Sequence, residues 1–98
     1  MAYEVIWLPK AEKRYDEIIM YLQEHWTEKE IINFIARTED IIKNISNNPY
    51  LYRVSKKKNI HEAIITKHNI LLYKHDGKRV ELLTFFDTRQ SPNKKFKK

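Results

Sequence analysis

Residues 69–86 read NILLYKHDGKRVELLTFF. Two runs rich in Ile, Leu, Val, Phe and Tyr flank Asp76-Gly77, and an Asp-Gly pair between such runs is a strong signal for a tight β-hairpin. Gly77 is the only glycine in the chain, and it falls where the turn calls for positive φ. A third run, IHEAIIT at 60–66, precedes the hairpin after a turn-length break, so strands at 60–66, 69–75 and 79–86 are expected to form an antiparallel meander. Further back, YEVIWL at 3–8 reads as a first strand, halted by Pro9, and Pro is tolerated in a helix's first turn, so a helix should begin there. Ala11, Tyr15, Ile18, Ile19, Leu22 and Trp26 recur at three- and four-residue steps and make one apolar stripe. Thr27 to Glu30, TEKE, has the form of a capping box. A second helix should start here, with Ile31, Ile32, Ile35, Ile41, Ile42 and Ile45 as its apolar face, and end near Ser46 where SNNP favours a turn.

Two helices so tightly joined form an antiparallel hairpin that needs a sheet to cover its stripe. The expected fold is therefore α+β, a single domain over 1–98 in the order β-α-α-β-β-β, with the helical hairpin packed on one face of a small antiparallel sheet. Simple alternation puts Leu82 and Phe86 on one face of the last strand and Leu83 and Phe85 on the other. One face takes the helices; the other is expected to remain an uncovered apolar groove, which on a monomer marks a binding surface.

Charge separates the halves of the chain. Residues 1–48 carry six Lys/Arg against nine Asp/Glu, a net −3, whereas residues 49–98 carry thirteen against four, a net +9. A field that one-sided draws polyanions or an acidic protein partner. The chain has no cysteine, which excludes disulfides and thiolate metal sites, and neither a cofactor nor a metal is expected. No apolar run reaches the roughly 18 residues of a membrane span, so the expectation is a soluble, cytoplasmic protein without membrane contact.

The chain resembles the RelE/ParE superfamily of bacterial toxins over nearly its full length. The features that carry the resemblance are the first strand, the helical hairpin with Tyr21-Leu22 ahead of Trp26, the turn at Asn47 to Pro49, NILLY at Asn69 to Tyr73, and DTRQSP at Asp87 to Pro92. The resemblance implies the toxin of a type II toxin–antitoxin pair, held inactive in a hetero-oligomer with a cognate antitoxin whose extended or helical segment wraps the surface. The target it implies is either the ribosome and its messenger RNA, cut by RelE-like members, or DNA gyrase, poisoned by ParE-like members.

Metal-free RNA cleavage by the ribose 2′-OH needs a base, an acid and positive charge converging on one phosphate. Arg89 matches the family's arginine after the last strand, and a guanidinium pairs bidentately with phosphate; its alternative is a surface ion pair. His61, His68 and His75 are the candidates for proton transfer, with a structural role as the alternative for each, and alternation places His61 and His68 on opposite faces. Arg53, Lys56, Lys57, Lys58, Lys67, Tyr73, Lys94, Lys95 and Phe96 are candidates for RNA or partner binding. Two departures weigh against the ribonuclease. Many ribonuclease members carry a basic residue before the triplet at 71–73, where this chain has Ile70, and on the preceding strand His61 and Ala63 stand where RelE has lysines. Gyrase poisoning asks instead for a protein–protein surface, for which Trp7, Tyr50, Tyr52, Arg53 and Tyr73 are the residue types that dominate such contacts. The departures favour ParE-like gyrase poisoning, with the mRNA endoribonuclease and a non-toxic basic nucleic-acid-binding module as the rival readings.

Overall fold

The computed structural model describes residues 2–56 and 59–88. Its elements run β1 (Glu4–Trp7), α1 (Pro9–His25), α2 (Glu28–Asn47), β2 (Arg53–Val54), β3 (His61–Thr66), β4 (Asn69–His75) and β5 (Arg79–Asp87). The expected two helices and four strands are all present, and the helices lie on one face of the sheet. Two features go beyond expectation. β2 adds a two-residue edge strand, and β1 pairs parallel to β5, so the sheet is mixed, in the order β1-β5-β4-β3-β2.

Local chemistry accounts for the element ends. Pro9 occupies the first turn of α1, and the Trp26 N–H closes the last turn on the Leu22 carbonyl. The Thr27 side chain accepts from the Glu30 N–H at 3.4 Å and opens α2. At the Asp76-Gly77 turn the Asp76 carboxylate accepts from the N–H groups of Lys78 and Arg79, both at 3.0 Å, while Gly77 takes φ +92°. Those bonds, together with the Arg79 side chain, hold the Asp76 carboxyl below its ordinary range.

The main core lies between helices and sheet. Ala11 and Ile18 of α1 and Phe34, Ile41 and Ile45 of α2 meet Ala63, Ile65, Leu71, Tyr73, Val80, Leu82 and Phe85. Burying one such aliphatic or aromatic side chain contributes roughly 1.5–3 kcal/mol.

A register shift in the hairpin corrects the simple alternation. Leu72 pairs with Thr84 but Tyr73 pairs with Leu82, leaving Leu83 as an extra residue in β5. Leu82 and Phe85 therefore both face the helices, and Leu83 and Phe86 both face away. The far face is also not the bare groove that alternation implied. Ile70, Leu72 and Phe86 are 7, 2 and 7% exposed and form a second small cluster with Ile60 and Leu83 packed against it. Strands about 4.8 Å apart let such neighbours shield one another, and the bulge adds Leu83 to their flank. No described helix is long and apolar enough to cross a membrane.

Candidate functional site

By helical rise, 17-residue α1 and 20-residue α2 span roughly 25 and 30 Å, whereas a strand of six or seven residues covers about 20–23 Å. α2 is thus longer than β3, the strand it packs against, while nine-residue β5 under α1 matches the helices in length. At the hairpin tip lies a cleft of about 1030 Å³, bounded by the C-terminal half of α1, the N-terminal half of α2, the β3–β4 turn and Asp87. Ile18, Leu22 and Phe34 line its interior, and Tyr21 and Trp26, each about half exposed, stand at its mouth.

Two arginines lock the helices over this end. Arg14 on α1 donates from Nε to the Phe85 carbonyl at 3.4 Å and pairs with Glu17 at 2.7 Å. Arg37 on α2 donates from Nε to the Ile65 carbonyl and makes no ion pair among the described residues. Lys29 and Lys67 add positive charge to the rim, and Glu30 and Asp87 add negative charge. The Thr88 N–H and hydroxyl bond the carbonyls of His68 and Lys67 at 3.0 and 2.8 Å, fixing the end of β5 beside the β3–β4 turn. The cleft thus combines apolar lining, exposed aromatics and a mixed rim. Such a surface recognises an amphipathic segment by burying its apolar side and pairing its charges.

The sequence-based candidates separate. His68 lies at this cleft, in the β3–β4 turn, with its backbone N–H bonded to the Thr66 hydroxyl at 3.3 Å. His61 opens β3 at the opposite end, roughly 16 Å away by strand rise. It is buried, stacked on Tyr73 at 5.0 Å, and its Nδ1 lies 2.8 Å from the Tyr52 carbonyl. The two histidines do not meet at one phosphate. Lys67 borders the cleft, and Lys56 is exposed beyond β2. Arg53 is held by Glu62 through Nε at 3.0 Å and Nη2 at 2.7 Å, pairing a mostly exposed guanidinium with a buried carboxylate. Arg89, Lys57, Lys58, Lys94, Lys95 and Phe96 lie outside the described residues.

Tyr73 as a contact residue is corrected: it is fully buried, and its hydroxyl donates to the Pro49 carbonyl at 2.8 Å. Burial pushes its pKa up to about 12, so it acts as a neutral core donor. Trp7 likewise packs inward, against Tyr15 at 5.2 Å and Phe85 at 6.0 Å. The sequence marks Tyr21 and Trp26 as features of the helical hairpin but not as site residues, and it marks Arg14 and Arg37 only as charges.

A family model described as the ParE toxin of the type II toxin–antitoxin system, parDE, matches residues 5–92. Among solved structures, the chain is similar to a protein of the chromosomal ParDE toxin–antitoxin system from P. aeruginosa, with 13% identity, 88% of this chain and 96% of that chain covered, and a TM-score of 0.73. It is similar to the YoeB dimer from Staphylococcus aureus at 16% identity, coverages of 86% and 94%, and a TM-score of 0.59. It also resembles a chain of the E. coli DinJ–YafQ toxin–antitoxin complex, at 11% identity, coverages of 91% and 96%, and a TM-score of 0.62. At these identities the likeness is one of fold. No curated protein matches the sequence significantly.

Proposed function

The chain belongs to the ParE toxin family of type II toxin–antitoxin systems, and from that premise we propose that it arrests growth by poisoning DNA gyrase and is neutralised by a cognate antitoxin. The observation that carries the gyrase reading is the dispersal of the proton-transfer side chains. His61 is packed among Tyr52, Tyr73 and His75, while His68 sits in the turn beyond the far end of the same strand. Ile70, at the position where ribonuclease members often carry a cation, is an apolar residue of the far-face cluster. A poison needs no convergent acid and base; it needs a surface that seats another protein.

The cleft supplies a seat suited to the antitoxin. Its lining accepts aliphatic or aromatic anchors, and Arg37 and Lys67 offer charge to a carboxylate on the incoming segment. Family membership displaces the reading as a non-toxic nucleic-acid-binding module. The ribosome-dependent endoribonuclease retains one support, the grouping of Arg37, Lys67 and His68 around the cleft, beside the strand end that leads in sequence to Arg89.

Expression of the chain alone in bacteria tests these readings together. Growth arrest with induced DNA-damage response and stabilised gyrase–DNA cleavage complexes supports the proposal. Arrest with translation-dependent mRNA cuts, abolished by Arg89→Ala, replaces it with the ribonuclease. Soluble protein without arrest overturns both.

A further inference from the structure

The segment 48–54 joins α2 to the sheet edge and carries three outward apolar side chains, Tyr50, Leu51 and Val54, at 67, 55 and 56% exposure. It is held to the sheet from beneath. The Tyr73 hydroxyl donates to the Pro49 carbonyl, the His61 Nδ1 meets the Tyr52 carbonyl at 2.8 Å, and the Tyr50 ring lies edge-on to His75 at 4.5 Å. His61 and His75 are themselves neighbours, with ring centroids 5.1 Å apart. Two imidazoles therefore share the interface between this segment and the sheet.

Their hydrogen bonds define which protonation state the interface accepts. Facing a carbonyl, the His61 Nδ1 must carry the proton, which leaves Nε2 as the lone-pair nitrogen of the neutral ring. The Nδ1 of His75 is buried without a hydrogen-bond partner among the described residues. As a lone pair it tolerates that position; as an N–H it would be a buried donor facing no acceptor. Protonation of His75 would also set a positive charge against the His61 ring. The groups around them are mostly neutral: Tyr50 and Tyr52 from the segment, Tyr73 on β4, Tyr3 ahead of β1, and Asn44 of α2 bonded to the Tyr52 hydroxyl. Asp76 pulls the other way, but its carboxylate is engaged by the Lys78 and Arg79 N–H groups. The Arg53–Glu62 pair projects from the opposite face of β2 and β3.

We propose that His75, packed against His61, is an acid-sensitive latch: with its ring neutral, residues 48–54 are clamped to the sheet, and its protonation releases the segment and the apolar surface it presents. Burial, then the neighbouring His61, lower the pKa of His75 from its ordinary 6.5. A histidine depressed by folding contributes stability that is complete above the unfolded value. The latch is therefore closed above about pH 6.5 and loosens as pH falls through the window below it.

Hydrogen exchange of the full chain at pH 7.5 and 5.5, corrected for intrinsic exchange rates, tests the latch. The segment spanning 48–55 should lose protection about tenfold at the lower pH, while α2 and β4 keep theirs. His75→Phe keeps an aromatic ring but removes the titration, and should shrink the change to about threefold or less. Because that variant could misfold, wild-type His75 is also followed by NMR, where its ring should titrate together with the Tyr50–Val54 amides. Unchanged protection at the two pH values overturns the latch. Imidazole titrations with no response in the segment do so as well.

Discussion

The two ends of β3 carry the same residue type to opposite fates. At the start, His61 is packed under the 48–54 segment among aromatic rings, and its proton is committed to a backbone carbonyl. Past the other end, His68 stands at an open cleft between the hairpin tip and the sheet, with Arg37 and Lys67 nearby. The difference comes from what lies above each end. The loop after α2 closes one end, held by the Tyr73–Pro49 hydrogen bond, and the cleft between the helices and the β3–β4 turn leaves the other open. One end is packed shut and the other is the cleft proposed to seat the antitoxin, so substitutions at the two ends should separate stability from binding.

The largest loss should follow Phe85→Ala, because this ring meets both Trp7 and Tyr15 beneath the helices. Urea denaturation should show about 3–5 kcal/mol less stability. A cost near 1 kcal/mol would mean that the core relaxes around the cleft end far more than the packing implies.

Docking should respond next. Trp26→Ala combined with Arg37→Glu should weaken binding of the cognate antitoxin roughly 30-fold or more by calorimetry, a hot-spot-sized effect of about 2 kcal/mol. Growth arrest by the variant should persist while rescue by the antitoxin fails. Unaltered affinity would remove the cleft from the antitoxin interface.

At the closed end, Tyr73→Phe deletes the buried donor to Pro49 and should cost about 1–2 kcal/mol of stability, leaving antitoxin affinity unchanged. An equal loss of affinity would merge the two regions. The smallest effect belongs to Lys74→Ala. Its 3.5 Å pair with Glu81 is half exposed on the lysine side, and thermal unfolding should register about 0.5 kcal/mol or less.

Much of this layout was readable before any coordinates. The Asp76-Gly77 turn, the Pro9 helix start and the Thr27 cap each act within a few residues, so composition alone marked them. The bulge at Leu83 did not announce itself, because it depends on which residue of β4 meets which residue of β5, and a slip of one reverses every face beyond it. β2 was missed for a related reason: two residues flanked by turn-prone positions become a strand only when β3 lies beside them. For the site, residue types were legible and burial was not. Tyr50 and Tyr73 are the same side chain in neighbouring parts of the fold, yet one faces solvent and the other is sealed in the core. Arg14 and Arg37 looked like ordinary helix-surface charges, and the strand-end carbonyls that hold them lie 71 and 28 residues away in sequence.

The most direct test of the account adds the purified protein to DNA gyrase, ATP and negatively supercoiled plasmid, then traps and counts covalent gyrase–DNA complexes. The account predicts dose-dependent accumulation of cleaved, gyrase-linked DNA that disappears when the antitoxin is added first. Gyrase that supercoils unhindered at every dose, with the same preparation cutting mRNA on translating ribosomes, would contradict it.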